Sequence, residues 1–550
     1  MQTFNKNELN SLEKTIVKPV TQIGIMLNRT ISLISVIYEC FTNGIKYVPI
    51  DVNWPDERIE KIISDGEIEA VVTTQEYQHR LSNIDTIIIE DNSVVKLESY
   101  NDKSEVAYTL YTSGSTGTPK GVEITKKALL NFIDGISEII DFSQGKRIAC
   151  FTTVSFDIFF LESIMALEKG LTVVLANDDE QRNPKLMANL IKENDVDMIQ
   201  MTPSRMQLLL NHDKELSSLK NVKEIMIGGE PFPLNLLRTL QEKTTAKIYN
   251  MYGPTETTIW STVSDLTNKY HIDIGRPIKN TEVYIVDENL YILPEGQAGE
   301  ICIAGKGLAK GYVGRNDLTA EKFINLPQKP ETRVYRTGDV GKYLPNGNLE
   351  YIGRTDNQIK IRGHRVELEE IETHLNQFAG IKQSIAIALE TSEIDKVLQA
   401  FYTSDIDIDS KDIIQYLSSK LPSHMIPAIF KRVENFVQTA NGKIDRKKVF
   451  ECVEIKVDSD MAEDMNCDEM TVVQKKALEV IVSNLDAKLS GEILLDTDFA
   501  SVGIDSITFI KIVVALEGEF DFEFDDEMLL ITKFPTVRTM ISYVESKVQC

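Results

Sequence analysis

The chain has 550 residues, 42% hydrophobic and 26% charged, enough for three or four domains of ordinary globular composition. Lys+Arg number 59 and Asp+Glu 84, a formal charge of −25, which argues against a nucleic-acid groove as the main business, since a phosphate backbone wants a basic surface. The polar start has no signal-peptide core, and the longest apolar stretch, 31–41, is broken by Glu39 and falls short of the ~20 residues that span a bilayer. Six scattered cysteines form no CxxC pair and six histidines form no HExxH or HxH cluster. The expectation is a cytoplasmic protein with reduced thiols, no protein-built zinc site and no membrane or nucleic-acid partner.

In chain order, 28–265 alternates short apolar runs with helical patterns. Strands are expected at 107–111, 148–154, 172–175, 198–201, 224–227 and 247–249, and helices at 125–140, 157–169, 184–194, 203–211 and 234–243. Such alternation implies βαβ units and largely parallel sheet. From 274 to 351 strands dominate, with Pro294-Glu-Gly296 and Pro345-Asn-Gly347 as punctuation. A shorter α+β unit follows Arg354, with strands at 359–361, 384–388 and 397–402 and helices at 366–376 and 411–419. Residues 451–470 are acidic and weakly patterned, as a linker would be. In 471–550, 14 acidic residues face 7 basic ones around apolar helical spacing at 472–486, 504–517 and 537–548, which reads as a small acidic helical bundle.

Tyr111-Thr-Ser-Gly-Ser-Thr-Gly-Thr-Pro-Lys-Gly121 lies between an expected strand and an expected helix. Its glycines let backbone N–H groups turn toward an anion, its hydroxyls add donors, and Lys120 adds charge. A phosphate cradle and a flexible surface loop are both compatible with that composition alone. It is not a Walker A loop, because no Gly-Lys-Ser/Thr step closes it. Gly305-Lys-Gly307-Leu-Ala-Lys-Gly311 misses the GxGxxG spacing and reads as turn glycines.

The loop resembles the phosphate loop of adenylate-forming enzymes, and within them the adenylation domains of nonribosomal peptide synthetases. The resemblance runs through Tyr47-Val-Pro-Ile-Asp51, Asn250-Met-Tyr-Gly-Pro-Thr-Glu-Thr-Thr258, Gly299-Glu-Ile-Cys-Ile303, Tyr335-Arg-Thr-Gly-Asp339, Gly353-Arg-Thr-Asp-Asn-Gln-Ile-Lys-Ile-Arg-Gly363, Leu421-Pro-Ser-His-Met-Ile-Pro427 and Asn441-Gly-Lys-Ile-Asp445. It implies a multidomain α/β and α+β chain: a large adenylation core with parallel sheets and a β-rich subdomain (1–355), a small mobile α+β subdomain (356–450), a linker (451–470) and a four-helix peptidyl carrier (471–550).

Family membership would assign ATP, Mg²⁺ and covalent 4′-phosphopantetheine as cofactors. Thr112, Ser113, Gly114, Ser115, Thr116, Gly117 and Lys120 would hold the leaving phosphates. Glu256 would bind Mg²⁺, a hard cation that prefers oxygen ligands. Thr255 would touch the α-phosphate, while Gly229, Glu230, Asn250 and Tyr252 would frame the adenine. Asp339, with Arg354 nearby, would take the ribose hydroxyls; alone, an Asp in Thr-Gly-Asp reads equally as a turn cap. Lys443 would bind the substrate carboxylate and α-phosphate, and Asp356 would be the hinge of the small subdomain.

Phe156-Asp-Ile-Phe-Phe-Leu-Glu162 resembles the segment that opens the substrate pocket. Asp157 would pair with an α-ammonium, which points to an amino acid rather than an aryl or fatty acid. Phe159 stands where the family often has a small residue, and a packing adjustment is expected there. The carried-over lining is Ile158, Leu161, Gln200, Met226, Gly228, Met251, Ile259 and Trp260, closed by Lys443. Side chains this large leave little room, so the expected substrate is glycine, with alanine second.

Gly503-Ile-Asp-Ser506 before an apolar helix resembles a carrier attachment site; by spacing alone Ser506 would be an ordinary N-cap. The resemblance makes Ser506 the phosphopantetheine site, with a phosphopantetheinyl transferase and neighbouring synthetase domains, such as a condensation domain, as partners. The family's first strands before Phe4 are short here and no condensation or thioesterase segment is evident, which suggests an excised, truncated or initiating piece. An acyl-CoA ligase is the nearest rival, opposed by Ser506 and Asp157. A non-catalytic carrier scaffold is a rival of another class, opposed by Lys120, Glu256, Asp339 and Lys443.

Overall fold

The computed structural model describes residues 2–11, 14–17, 20–97, 104–114, 117–356, 358–361, 363–390, 396–436, 446, 472–483, 506–520, 522, 524, 528, 534 and 536–548. They form two compact units, one of Met1–Glu370 with Ser419–His424, the other of Ile371–Ser418 with Met425–Cys550.

Local signals account for many elements of the first unit. Thr125 caps Lys126–Ser137 by accepting from the Ala128 N–H at 3.1 Å. Asn183 and Thr202 each cap a helix whose first residue is proline, Pro184–Glu193 and Pro203–His212. An oxygen acceptor followed by a residue with no N–H to satisfy is a helix start encoded locally. Gly44 closes Ile31–Asn43 at φ 72°, a conformation that favours glycine.

Three sheets organise this unit. One has seven strands, in the order Gly311–Tyr312, Lys120–Thr125, Val106–Thr112, Lys46–Pro49, Gln22–Met26, Ala70–Thr73, Asp85–Ile88. A second has eight: Gln2–Phe4, Thr172–Leu175, Arg147–Cys150, Met198–Met201, Glu224–Gly228, Lys247–Tyr252, Thr262–Asp265, Arg276–Pro277. Its central strands are parallel and buried on both faces, as expected for βαβ units. The third sheet is antiparallel, built around Lys329–Tyr343, and is the β-rich region expected from the sequence.

Three local differences from the sequence reading have physical causes. The strand expected at 148–154 ends at Cys150, where Arg29 takes over the carbonyls, donating to Cys150 at 2.8 Å and Ala176 at 2.9 Å. The helix expected at 157–169 contains a π-helical turn, Leu161–Met165, next to the buried Phe159. Such turns let a bulky residue be accommodated without ending the helix. The start of the helix expected at 366–376 is instead strand: His364–Glu367 pairs antiparallel with Gln358–Ile361, and the helix runs Leu368–Leu375. That hairpin belongs to the first compact unit, which extends to Glu370.

In the second unit, Gln383–Glu390 and Lys396–Thr403 pair antiparallel, and Ile429–Arg432 adds a parallel strand. The helices Val472–Ser483, Ser506–Phe520 and Val537–Val548 bury Ala477, Ile481, Phe509, Ile512, Leu516 and Met540 in their own core. Of the expected four-helix carrier, these three lie among the described residues; the 451–470 linker does not.

Candidate active site

The glycine-rich loop connects two adjacent antiparallel strands, Val106–Thr112 and Lys120–Thr125. A Cβ on Gly114 would stand 2.0 Å from the Thr118 carbonyl oxygen, so the turn admits only glycine there, and Gly117 has φ 78°. Lys120 is buried, its ammonium 5.4 Å from the centre of the Tyr312 ring and 3.7 Å from Glu367. Burial pulls its pKa down to about 8, Arg365 acts in the same direction, and Glu256 and Glu367 oppose them.

Glu256 is fully buried. It accepts from the Tyr312 hydroxyl at 2.8 Å and from Arg365 Nη1 at 2.9 and 3.2 Å. Burial alone would raise this carboxyl, but the Arg365 guanidinium and Lys120 outweigh it and hold it at about 2. Among the described residues no group of three or more His, Cys, Asp or Glu could hold a metal. The ionised Glu256 beside the loop suits a hard cation such as Mg²⁺, which prefers oxygen ligands.

Tyr252 and Arg354 converge on Asp339: the hydroxyl donates at 2.6 Å, and the guanidinium forms an ion pair. Arg354 also reaches Asp356 at 2.7 and 2.8 Å. Burial would raise the Asp356 carboxyl, but Arg354 holds it below its ordinary value. Asn250 donates to the Asp273 carbonyl at 2.8 Å, and Gly229 follows strand 224–228 at φ 90°. Glu230 accepts from Ser204 at 2.7 and 3.0 Å and from the Gly363 N–H.

The residues expected to line an amino-acid pocket also converge. Gln200 pairs in register with Met226, and Gly228 with Met251. A Cβ on Gly228 would meet the Met251 carbonyl oxygen at 2.5 Å and the Trp260 ring at 2.8 Å. Ile158, Leu161, Met226, Met251, Ile259 and Trp260 are all buried. Asp157 is buried too, and burial raises its carboxyl to about 6 against the lowering pull of the Thr255 side chain and the Ile158 N–H. Among the described residues, Asp157 Oδ2, Gln200 Oε1 and Trp260 Nε1 have no hydrogen-bond partner. A buried polar atom left unmatched is costly, and an ammonium-bearing substrate is the kind of group that would match this carboxylate.

Sequence reasoning missed several groups. Arg365, Tyr312, Glu367 and Glu370 surround Glu256 and the loop, and no local pattern marked them. Thr258 and Ile259 have φ of 66° and 65°, unfavourable for β-branched residues, in the turn that presents Trp260. Thr258 is tied there by a 2.7 Å bond to the Gly307 carbonyl, so the turn glycines of 305–311 help support the pocket. Ser506 opens the helix Ser506–Phe520, while Lys443, Ser115 and Thr116 lie outside the described residues.

A glycine-rich phosphate loop, a buried acid beside it and a separate helical carrier define an adenylate-forming ligase joined to a carrier. The chain belongs to the AMP-binding enzyme family, matched over residues 10–313, and residues 477–544 match a phosphopantetheine attachment site. The two matches together make it an adenylation–carrier chain of the nonribosomal peptide synthetase type. It is 33% identical to gramicidin S synthase 1 of Brevibacillus brevis over 97% of this chain and 48% of the relative. It is 36% identical to a dimodular nonribosomal peptide synthase of Bacillus subtilis (strain 168) over 80% of this chain and 19% of the relative. The chain thus spans about half or less of these curated relatives. A crystal structure of a holo four-domain nonribosomal peptide synthetase bound to AMP and glycine aligns at TM-score 0.57 and 29% identity, covering 96% of this chain and 39% of that one. The AMP-binding segment uses ATP with Mg²⁺, and the attachment segment carries covalent 4′-phosphopantetheine.

Proposed function

We propose that this chain activates glycine. The carrying observation is the buried Asp157, whose Oδ2 has no hydrogen-bond partner among the described residues, together with the bulky buried Met251 and Trp260, both within 3 Å of where a Cβ on Gly228 would stand. An α-ammonium would complete Asp157, and Trp260 and Met251 would exclude a side chain. The glycine bound to the four-domain relative supports the same choice. Alanine is the second candidate, because one methylene distinguishes substrates by only ~1–3 kcal/mol.

In this reading the glycine carboxylate attacks the α-phosphorus of ATP, giving glycyl-AMP and pyrophosphate. Ser506 would hold the phosphopantetheine arm, whose thiol would accept glycine with loss of its proton while AMP is the leaving group. Lys120 and the loop N–H groups neutralise the departing phosphates, Glu256 would hold a Mg²⁺ that supplies further positive charge there, and Asp339 anchors the ribose. Lys443 holds the carboxylate against the α-phosphate, and Asp356 is the hinge of the small subdomain. Functionally we divide the chain into 1–355, 356–450, 451–470 and 471–550. Its partners are a phosphopantetheinyl transferase and adjoining synthetase domains, and its place is the cytoplasm.

Amino-acid-dependent ATP–pyrophosphate exchange across the twenty amino acids, with Lys443→Ala as control, tests this. The expected result is a glycine signal that the control loses. A signal for a larger amino acid would overturn the pocket reading. Silence with all twenty on folded, ATP-binding protein would favour the scaffold rival.

A further inference from the structure

The segment that leads into Asp157 leaves the eight-stranded sheet but is held from the seven-stranded one. Strands Gln22–Met26 and Lys46–Pro49 are parallel neighbours, and Arg29 and Asp51 follow their C-terminal ends. Arg29 donates from Nη1 to the Thr152 carbonyl at 2.5 Å, from Nη2 to Cys150 at 2.8 Å and from Nε to Ala176 at 2.9 Å. Asp51 accepts from the Thr153 hydroxyl at 3.1 Å. Glu162, fully buried, holds Thr152 as well, accepting from its N–H at 2.8 Å and its hydroxyl at 2.7 Å. Burial raises the Glu162 carboxyl, while Thr152, Arg205 and Arg29 pull it down. The guanidinium also lies 5.9 Å from the centre of the buried Phe159 ring. From Thr153 a turn, Phe156 N–H to the Thr153 carbonyl at 3.1 Å, carries the chain directly to Asp157. A planar fork of donors can satisfy several strand-end carbonyls in one fixed geometry, which a lysine cannot do.

We propose that Arg29 is a positioning residue for the amino acid: with Glu162 it clamps Thr152 from two sides and thereby fixes where Asp157 meets the substrate ammonium. Arg29 takes the carbonyl of Thr152, Glu162 takes its N–H and hydroxyl, and Asp51 pins the next residue. Both backbone polar groups of Thr152 are thus committed, and the short turn beyond it transmits that placement to the acid. Neither Arg29 nor Glu162 belongs to the pocket lining, so their effect on glycine passes through Asp157. A brace for the fold as a whole would serve nucleotide and amino acid alike, whereas this clamp serves the amino acid alone. The inference rests on Asp157 being the ammonium site.

The test is glycine-dependent ATP–pyrophosphate exchange on the full chain, with ATP binding followed by calorimetry, as a cycle of Arg29→Met, Asp157→Ala and the double variant. Arg29→Met is expected to raise the glycine KM ~10–100-fold, the cost of displacing a binding group by about an ångström. An ammonium–carboxylate pair binds ground and transition states alike, so kcat should stay within about threefold. The ATP Kd should stay within about twofold, since the nucleotide site shares none of these partners. With Asp157 already gone, Arg29→Met should cost no more than about threefold further in kcat/KM, because the two residues act as one unit. Thr152→Val guards against a variant that fails to fold: it leaves Arg29 in place, removes one hydroxyl bond to Glu162, and should raise the glycine KM ~3–10-fold. Its own cycle with Asp157→Ala should be equally non-additive. Additive losses, an unchanged glycine KM in folded variants, or an ATP Kd that worsens in step with glycine KM would overturn the clamp alone. An unchanged glycine KM in Asp157→Ala would overturn the ammonium-site reading, and the clamp with it.

Discussion

The two halves of the site solve opposite electrostatic problems. Around the proposed phosphate loop the described charged groups are paired, Glu256 with Arg365 and Tyr312 and Lys120 with Glu367, and the Gly114 N–H has Glu370. In the proposed amino-acid pocket Asp157, Gln200 and Trp260 each keep a buried polar atom without a hydrogen-bond partner among the described residues. A ligand entering the first must displace existing pairs, so net affinity is a difference between large terms. A ligand entering the second completes what the fold leaves unmatched, so the same polar groups select it directly. The contrast predicts sharp discrimination for the amino acid and tunable affinity for the nucleotide.

The largest expected effect removes the unmatched acid. Asp157→Ala should lower kcat/KM for glycine by ~10²–10³-fold, the ~3–5 kcal/mol of an unpaired buried charge, in pyrophosphate exchange. ATP binding measured separately should stay within about twofold. Equal losses in both would erase the distinction between the two halves.

Lys120→Met attacks the matched half. Nucleotide Kd should rise by ~10–100-fold, as expected for loss of a charged hydrogen bond worth ~1.5–3 kcal/mol. The compensation is that Glu367 and Glu256 lose a neighbour, so the loss should be smaller than that of Asp157→Ala. Glycine binding measured by calorimetry should be little changed.

Gly228→Ala sharpens the pocket argument by steric means alone. The added methyl meets Met251 and Trp260 below 3.0 Å, so stability should fall by ~1–3 kcal/mol in denaturant unfolding, and glycine KM should rise. Normal glycine KM in a folded variant would place the substrate elsewhere.

Acidity gives the smallest effects, with a different midpoint in each half. Asp157 sits at about 6, so glycine KM should fall as pH rises through 6 and level off above. Its folded value lies above the ordinary carboxylate value, so protonated Asp157 favours the fold and that stability is lost as pH rises through 6. Asp157→Asn should therefore melt with wild type near pH 4 but higher at pH 8, by at most about 3 kcal/mol. Lys120, at about 8, should hold phosphates better below that pH and lose them as pH rises through it. A shared midpoint for both ligands would mean one group governs both halves.

How legible was this? Helix starts at Asn183-Pro184 and Thr202-Pro203 were readable because a cap is a relation between neighbours. The pattern from Val366 onward looks helical, yet His364–Glu367 is a strand, because pairing with Gln358–Ile361 overrides local preference. Asp157, Gly228 and Trp260 were found only through the resemblance; nothing in their spacing links them. Arg365 meets Glu256 across 109 residues, and Glu370 meets Gly114 across 256.

The sequence by itself determined the alternating α/β plan, the glycine loop, the acidic carrier segment and the family, because these reside in local periodicity and short motifs. Only the tertiary structure decided which acids are matched and which are not. Burial and pairing are properties of residues brought together from distant parts of the chain, and they set the charge each half of the site presents.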